Sequence, residues 1–503
     1  MQKKLILTVL PAFSMSLALG QSVSPGHEIP QRMSKNPNII YIYADDLGYG
    51  DLGCYGQKKI RTPNLDKMAE EGVRFTQHYS SCAVCAPARC MLLTGRHGGH
   101  SFVRSNYRPV NFPREVETGS MPLPEGTFTI GHMLQQAGYA TGVIGKWGLG
   151  MHNNTGDPNK QGFDYFFGYQ DQVHAHNYYP TYLRENGLIY KLDNPYIDVH
   201  RTANNIKDDD FDYYIGKEYS IDKMTEKAKR FIELNHNRPF YLYMAYTIPH
   251  ASLQVPPKEV EEYIGKFPDR EYYGDRGYGS AKYQLATYAA MVTYLDKQVG
   301  IIMDLIKRLG LDENTVIMFS SDNGPQNCCG VDIEFFNSTG PLREAKGSIY
   351  EGGIRVPFIA RWPGKIPSGT ISDFPSVQYD MMSTIADILN IPCPENDGVS
   401  ILPSMMGQDR KQEQRKYIYW EYPGGGGQIA IRMGDWKVVR TNLNRNPVKP
   451  WELYNLSKDI GETNDVADKY PELIQEFDLI LKQAHRAAHI QEWNFIDQSL
   501  LYD

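Results

Sequence analysis

The chain has 503 residues and 41% hydrophobic content, enough for one large domain and a smaller one around a real core, which excludes a largely disordered protein. Its 52 Lys and Arg stand against 59 Asp and Glu without any long basic block, so nucleic acid is not an expected partner.

Residues 1–20, "MQKKLILTVLPAFSMSLALG", place Lys3 and Lys4 before an apolar stretch that ends in Ala18-Leu19-Gly20. The pattern predicts a cleaved signal peptide of bacterial type, too short for a permanent membrane span. Its removal takes two lysines and no acids, leaving 50 basic against 59 acidic residues, a charge of −9. No cysteine lies near the cleavage point, so no lipid anchor is expected, and no later stretch is apolar enough to cross a bilayer. The expected location is the periplasm or the cell exterior, without stable membrane insertion.

Five short β-branched and aromatic runs alternate with helical patterns: 37–46, 139–148, 239–250, 314–324 and 356–364. That alternation predicts an α/β fold with a mostly parallel central sheet flanked by helices. The first four runs end in polar groups at their carboxyl sides: Asp45-Asp46, Lys146, His250 and Asp322-Asn323. Any one of these fits an ordinary polar turn. Four together describe a site, because open α/β sheets bind ligands beyond the carboxyl ends of their strands.

Further helices are predicted over 220–235, 283–310 and 380–391. After about residue 410 the texture changes to "RKYIYWEY", "GQIAIRMGDWKVVRTN" and "WELYNL", which predict antiparallel strands, followed by a terminal helix. The expected division is a main domain over 33–408 and a C-terminal subdomain over 409–503. The loop "PGGGGQ" (423–428) is placed to reach the site.

Three of seven cysteines fall within "SSCAVCAPARCMLLTGR" (80–96). Pro87 suits a first helical turn and Gly95 a C-cap, so Cys85 is expected at a helix N-terminus with Arg89 one turn on, both favouring an anion. A zinc site from Cys82, Cys85 and Cys90 lacks a fourth ligand, and a redox pair lacks a thioredoxin-like domain. A Cys82–Cys90 disulfide stays open. An odd cysteine count leaves one thiol over, and vicinal Cys328-Cys329 cannot pair without strain.

"CAPARC" with Thr94-Gly95 resembles the sulfatase signature Cys-x-Pro-x-Arg followed by Thr-Gly. The resemblance extends through "YIYADDLGYGDLGCYG", "GKWGLG", "QGFDYFFGY", "IPHASLQVP", "SSDNGP", "AKGSIYEGGIRVPFIARWPG" and "WELYNLSKD", nearly the whole mature chain. It implies an alkaline-phosphatase-like fold and hydrolysis of a sulfate ester. It further implies conversion of Cys85 to 3-oxoalanine (formylglycine) by a maturation enzyme.

Position by position, the resemblance makes Asp45, Asp46, Asp322 and Asn323, completed by modified Cys85, the ligands of a divalent cation. Oxygen ligands with three carboxylates favour Ca²⁺ over Mg²⁺. Lys146 and Lys346 match the lysines that hold sulfate, His250 the leaving-group proton donor, and Arg89 the group that orients formylglycine. The implied mechanism is attack on sulfur by the formylglycine hydrate as the alcohol departs. One position departs: the family reads Gly-Lys-Trp-His-Leu-Gly, and here Gly148 replaces the histidine. His152 or a residue of another loop takes its place, or the contact is absent.

The loop "DQVHAHNYYP" offers His174 and His176, "RHGGHSFVRSN" offers His97, His100 and Arg104, and "DIEFFN" offers Glu334. Histidines, acids and aromatics suit a sugar ring, and the loop texture is similar to bacterial exo-acting carbohydrate sulfatases. The expected substrate is a sulfated galactose or N-acetylgalactosamine of host glycans such as mucin O-glycans, with His176 reading the sugar. Alternatives are an N-acetylglucosamine or glycosaminoglycan sulfatase, a phosphonate or phosphodiester hydrolase, and a sugar-binding pseudoenzyme.

Overall fold

The computed structural model describes residues 36–107, 117–201, 210–274, 277–445 and 449–496. The expected signal segment lies outside them. In chain order the strands are β1 (Asn38–Asp45), β2 (Val73–Phe75), β3 (His78–Tyr79), β4 (Ala140–Lys146), β5 (Tyr165–Tyr169), β6 (Tyr182–Glu185), β7 (Leu188–Lys191) and β8 (Phe240–Pro249). They continue with β9 (Thr315–Ser321), β10 (Phe358–Arg361), β11 (Thr370–Ser372), β12 (Ser376–Val377), β13 (Ile418–Tyr422), β14 (Gln428–Met433), β15 (Trp436–Thr441) and β16 (Glu452–Asn455).

Ten strands form one sheet in the order β11-β2-β10-β9-β1-β8-β4-β5-β6-β7. The middle five, β9-β1-β8-β4-β5, are all parallel. Every residue of β1, β4, β8 and β9 is buried, as expected for strands covered on both faces by helices. Alternate residues enter separate cores: Ile40 and Ile42 pack with the long helix Gln284–Arg308, while Ile39 and Tyr41 pack on the opposite side. Each such fully buried aliphatic side chain contributes about 1.5–3 kcal/mol.

The run 356–364 joins the sheet at an antiparallel flank of its parallel centre. Strand β10 runs antiparallel to β9, not parallel to it. Only short helices, Ile333–Phe336 and Glu351–Ile354, lie between them, so no crossover helix returns the chain to the starting edge of the sheet. The intervening loop instead crosses the carboxyl edge and carries Lys346 there. Antiparallel pairing also extends the other flank through β5, β6 and β7.

Strands β13 to β16 form an antiparallel sheet. One face, with Trp420, Ala430 and Val439, packs on Tyr79, Ile349 and Tyr379 of the main body. The other, with Ile429 and Val438, packs on Phe477 and Leu481 of the helix Pro471–Ala484. Buried Lys437 lies 2.9 Å from both Glu351 and Glu462, joining this sheet to the loop that carries Lys346. The glycine loop after β13 touches the same loop, since Gln428 Nε2 donates to the Gly347 carbonyl at 2.8 Å. Among the described residues, no helix is long and apolar enough to cross a membrane.

Candidate active site

The adjacent parallel strands β9, β1, β8 and β4 deliver Asp322-Asn323, Asp45-Asp46, His250 and Lys146 to one edge of the sheet. Asp45 is the last residue of β1, and Asp46 turns back at φ 64°, a conformation that aspartate tolerates better than most residues. The turn keeps both carboxylates at one place, and the Asp46 N–H donates to Asp322 Oδ1 at 3.0 Å.

Cys85 opens the helix Cys85–Thr94, which ends on Gly95 at φ 67° as its αL C-cap. Valine at the N-cap offers no side-chain acceptor, so Asn106 Oδ1 accepts the Ala86 N–H, which has no intrahelical partner, at 3.0 Å. One turn along, fully buried Arg89 donates to Asp322 Oδ2 at 2.8 Å and to the Lys146 carbonyl at 2.7 Å. Lys146 Nζ lies 2.7 Å from Asp45 Oδ2 and 3.6 Å from the Cys85 sulfur. Lys346 Nζ lies 2.6 Å from Asp46 Oδ2, and His250 Nε2 lies 3.4 Å from the same oxygen.

Ligand atoms of Asp45, Cys85 and Asp322 fall within 4.8 Å of one another, as do those of Asp45, Asp46 and His250. Asp45 Oδ1 and Asn323 Oδ1 are buried without a hydrogen-bond partner. Orphaned buried acceptors are rare, and two beside three clustered carboxylates fit an oxygen-liganded cation. Burial, and then the Asp45 carboxylate, raise Asp322 above the usual carboxylate range, a repulsion that a cation would relieve. Burial also opposes ionisation of Asp45, yet Lys146, His250 and Arg89 outweigh it and hold that carboxyl below its ordinary value.

A cavity of about 460 Å³ opens over Cys85, lined among others by His176, His250, Tyr278, Asn327 and Lys346. His250 donates through Nδ1 to the Ala251 carbonyl, which leaves Nε2 as the atom that can carry or release a proton. Burial, and then the Lys346 ammonium, hold this imidazole down to about 4. Tyr178 fixes the segment from below, its hydroxyl 2.6 Å from the carbonyls of Thr247 and His250.

Of the five residues expected at the sugar, only His176 lines this cavity. The others need correction. Arg104 is buried and ties down the C-terminal sheet through Glu421 at 2.8 Å and the carbonyls of Ser101 and Gly99. His100 binds Asp397 at 3.0 Å and stacks on His97. His174 is buried edge-on against Tyr169, and Glu334 is exposed and does not line the cavity. Arg104, His100 and His174 are thus engaged within the fold. Cys82 and Cys90 are buried free thiols, as is Cys329, while the free thiol of Cys328 is half-buried. Cys328 and Cys329 both line the cavity.

Two residues at Cys85 were not anticipated. Cys85 Sγ donates to Gln172 Oε1 at 3.2 Å, and Asn106 Nδ2 approaches the sulfur at 3.5 Å. His152 is not at Cys85: its backbone N–H binds Gln170 and its side chain lies beside Gly187. The signal for Gln172 was the missing side chain at Gly148, whose space it fills.

The chain matches the family model described as Sulfatase over residues 37–391, and that described as N-sulphoglucosamine sulphohydrolase, C-terminal, over 345–487. It is 31% identical to N-acetylgalactosamine-6-O-sulfatase of Bacteroides thetaiotaomicron, covering 95% of this chain and 98% of the relative. It is 32% identical to human arylsulfatase A, covering 88% and 86%. Among solved structures, Ps i-CgsB in complex with k-i-k-neocarrahexaose superposes with a TM-score of 0.73 at 28% identity, covering 91% of this chain and 96% of that one. The fold is thus alkaline-phosphatase-like, with its acidic, lysine-flanked edge around Cys85, and the chain belongs to the sulfatase family and is a sulfuric ester hydrolase.

Proposed function

We propose that the protein removes the sulfate ester from a terminal galactose or N-acetylgalactosamine of a glycan, with the 6-O-sulfate as the preferred position. The observation that carries this reading is the cavity over Cys85: Lys346 and the paired imidazoles of His176 and His250 line it, and Lys146, Asp45 and Asp322 cluster at Cys85. The similarity to an N-acetylgalactosamine-6-O-sulfatase along nearly its full length supports the sugar.

Asp45, Asp46, Asp322 and Asn323 would hold the cation, which we assign as Ca²⁺ because the donors are all hard oxygens. Formylglycine at position 85, with the cation, supplies an activated oxygen nucleophile. Lys146 and Lys346 bind and orient the sulfate, and their charge, with that of Arg89, stabilises the charge spreading over the sulfuryl oxygens. Burial opposes both ammonium groups, but Asp45 holds Lys146 and Asp46 holds Lys346 above the usual lysine value, so both stay charged. With its own proton on Nδ1, His250 takes up at Nε2 the proton that the attacking oxygen gives up and passes it to the departing alcohol. Arg89 keeps Asp322 directed at the site.

Cys85 is only 2% exposed, so the maturation enzyme acts before the chain folds. The lysine-led apolar start supports export to the periplasm or beyond. Sulfate release from 3-, 4- and 6-sulfated galactose, N-acetylgalactosamine and N-acetylglucosamine, with a phosphodiester alongside, tests the reading. Turnover concentrated on 6-sulfated galactose or N-acetylgalactosamine is expected. Preference for N-acetylglucosamine, or phosphate release alone, would overturn it.

A further inference from the structure

Gln172 comes from the loop after β5, which is held in shape by Asp171. Its Oδ1 accepts the Val173 and His174 N–H groups at 2.7 and 2.9 Å, and its Oδ2 accepts that of Thr118 at 2.8 Å. Gln172 can reach Cys85 only because Gly148 has no side chain. A Cβ built on Gly148 would stand 2.1 Å from Gln172 Nε2. Gly148 also has φ +74°, a conformation that costs glycine nothing. Opposite Gln172, the amide of Asn106 is fixed by the Ala86 N–H, which directs its Nδ2 at the sulfur.

The Gln172 amide is only half used. Its Oε1 meets the thiol, whereas Nε2 is buried without a partner. The thiol's one weak donor goes to Gln172 Oε1 and its weak acceptor faces Asn106 Nδ2, which leaves nothing for Gln172 Nε2. A hydrated aldehyde at position 85 offers two hydroxyls in their place, each both donor and acceptor.

We propose that Gln172 and Asn106 form a two-amide clamp on the oxygen of matured residue 85 that does not face the cation. Resting on the formylglycine reading above, this makes Gln172 a catalytic residue. A carboxamide accepts and donates hydrogen bonds but takes up no proton near neutral pH, so the clamp holds that oxygen without acting as a base. It favours the hydrate over the free aldehyde.

The test uses full-length protein matured in a competent host, with the aldehyde at residue 85 counted by mass spectrometry and all rates expressed per aldehyde. Gln172→Ala should mature like wild type, lose about 30- to 100-fold in kcat with little change in KM, and label faster with methoxyamine, which traps free aldehyde. Gln172→Glu keeps the shape of the side chain and supplies a group that titrates. Its kcat should gain an acid limb that wild type lacks. Wild-type kcat and labelling in Gln172→Ala, or a wild-type pH profile in Gln172→Glu, would overturn the clamp. Active wild-type protein without aldehyde at residue 85 would instead overturn the formylglycine reading.

Discussion

The imidazole rings of His176 and His250 stack with centroids 4.7 Å apart and planes 8° from parallel. His200 donates through Nδ1 to the Gly277 carbonyl, so its Nε2 accepts from His176 Nδ1 at 3.2 Å. That relay leaves His176 Nε2 as a fixed acceptor at the cavity wall, suited to a sugar hydroxyl. We predict that His176→Ala lowers kcat/KM for the sulfated sugar about 10- to 100-fold, or about 1.4–2.7 kcal/mol, while leaving a small aryl sulfate little affected. Equal losses on both substrates would place His176 in the chemistry instead of the recognition.

Asp45 Oδ1 and Asn323 Oδ1 have no protein partner, which predicts a tightly held divalent cation. Elemental analysis of purified protein should find about one Ca²⁺ per chain. Asp45→Ala should lose the ion and at least about 100-fold of activity, with the sheet intact by circular dichroism. Retention of the ion by that variant would show that its ligands lie elsewhere.

Lys437 is fully buried between Glu351 and Glu462. Burial raises Glu462, to about 7, whereas at Glu351 Lys437, Arg355 and Arg432 together outweigh burial and lower it to about 2. Lys437→Met would leave two buried acids facing each other, and should cost about 3–5 kcal/mol in urea unfolding. The double variant Lys437→Met, Glu462→Leu should recover part of that loss. A Lys437→Met protein as stable as wild type would contradict this account of how the C-terminal sheet is held.

Burial lowers three histidines away from the active site: His78 to about 3, and His97 and His174 to about 4, from an ordinary 6.5. The folded chain keeps them neutral while the unfolded chain protonates them below 6.5, so the unfolded state binds more protons in that window. Their contribution is complete above pH 6.5 and falls with decreasing pH, by up to about 1.4 kcal/mol per pH unit for each. Buried Asp51, Asp296 and Glu462, raised to about 6, 6 and 7, titrate in the same window with the opposite sign, so the histidine contribution is read by difference: between pH 7 and pH 5 the thermal midpoint of wild type should change less favourably than that of His174→Gln. The same pH dependence in both proteins would contradict the buried-neutral assignment of His174.

The convergence of Asp45, Asp46, Asp322 and Lys146 was legible in the sequence because these groups sit at strand ends, where an apolar run stopping at Asp45 or Asp322 marks the carboxyl edge. The direction of β10 was not, because apolar periodicity is the same in either orientation and only the missing crossover helix decides it. Arg104 and Glu334 resembled sugar contacts by residue type. Yet the first finds Glu421, 317 residues away in sequence, and the second does not line the cavity. Gln172 and Asn106 carry no motif; 87 and 21 residues respectively separate them from Cys85, and only the tertiary fold brings their amides there.

The central claim is that residue 85 is the group that attacks sulfate. The most direct measurement is sulfate release from 6-sulfated N-acetylgalactosamine by matured wild type and by Cys85→Ala, both carried through the same maturation host. The account predicts steady turnover by wild type and none by Cys85→Ala, with unchanged thermal stability and retained substrate binding. Turnover by Cys85→Ala at the wild-type rate would contradict it.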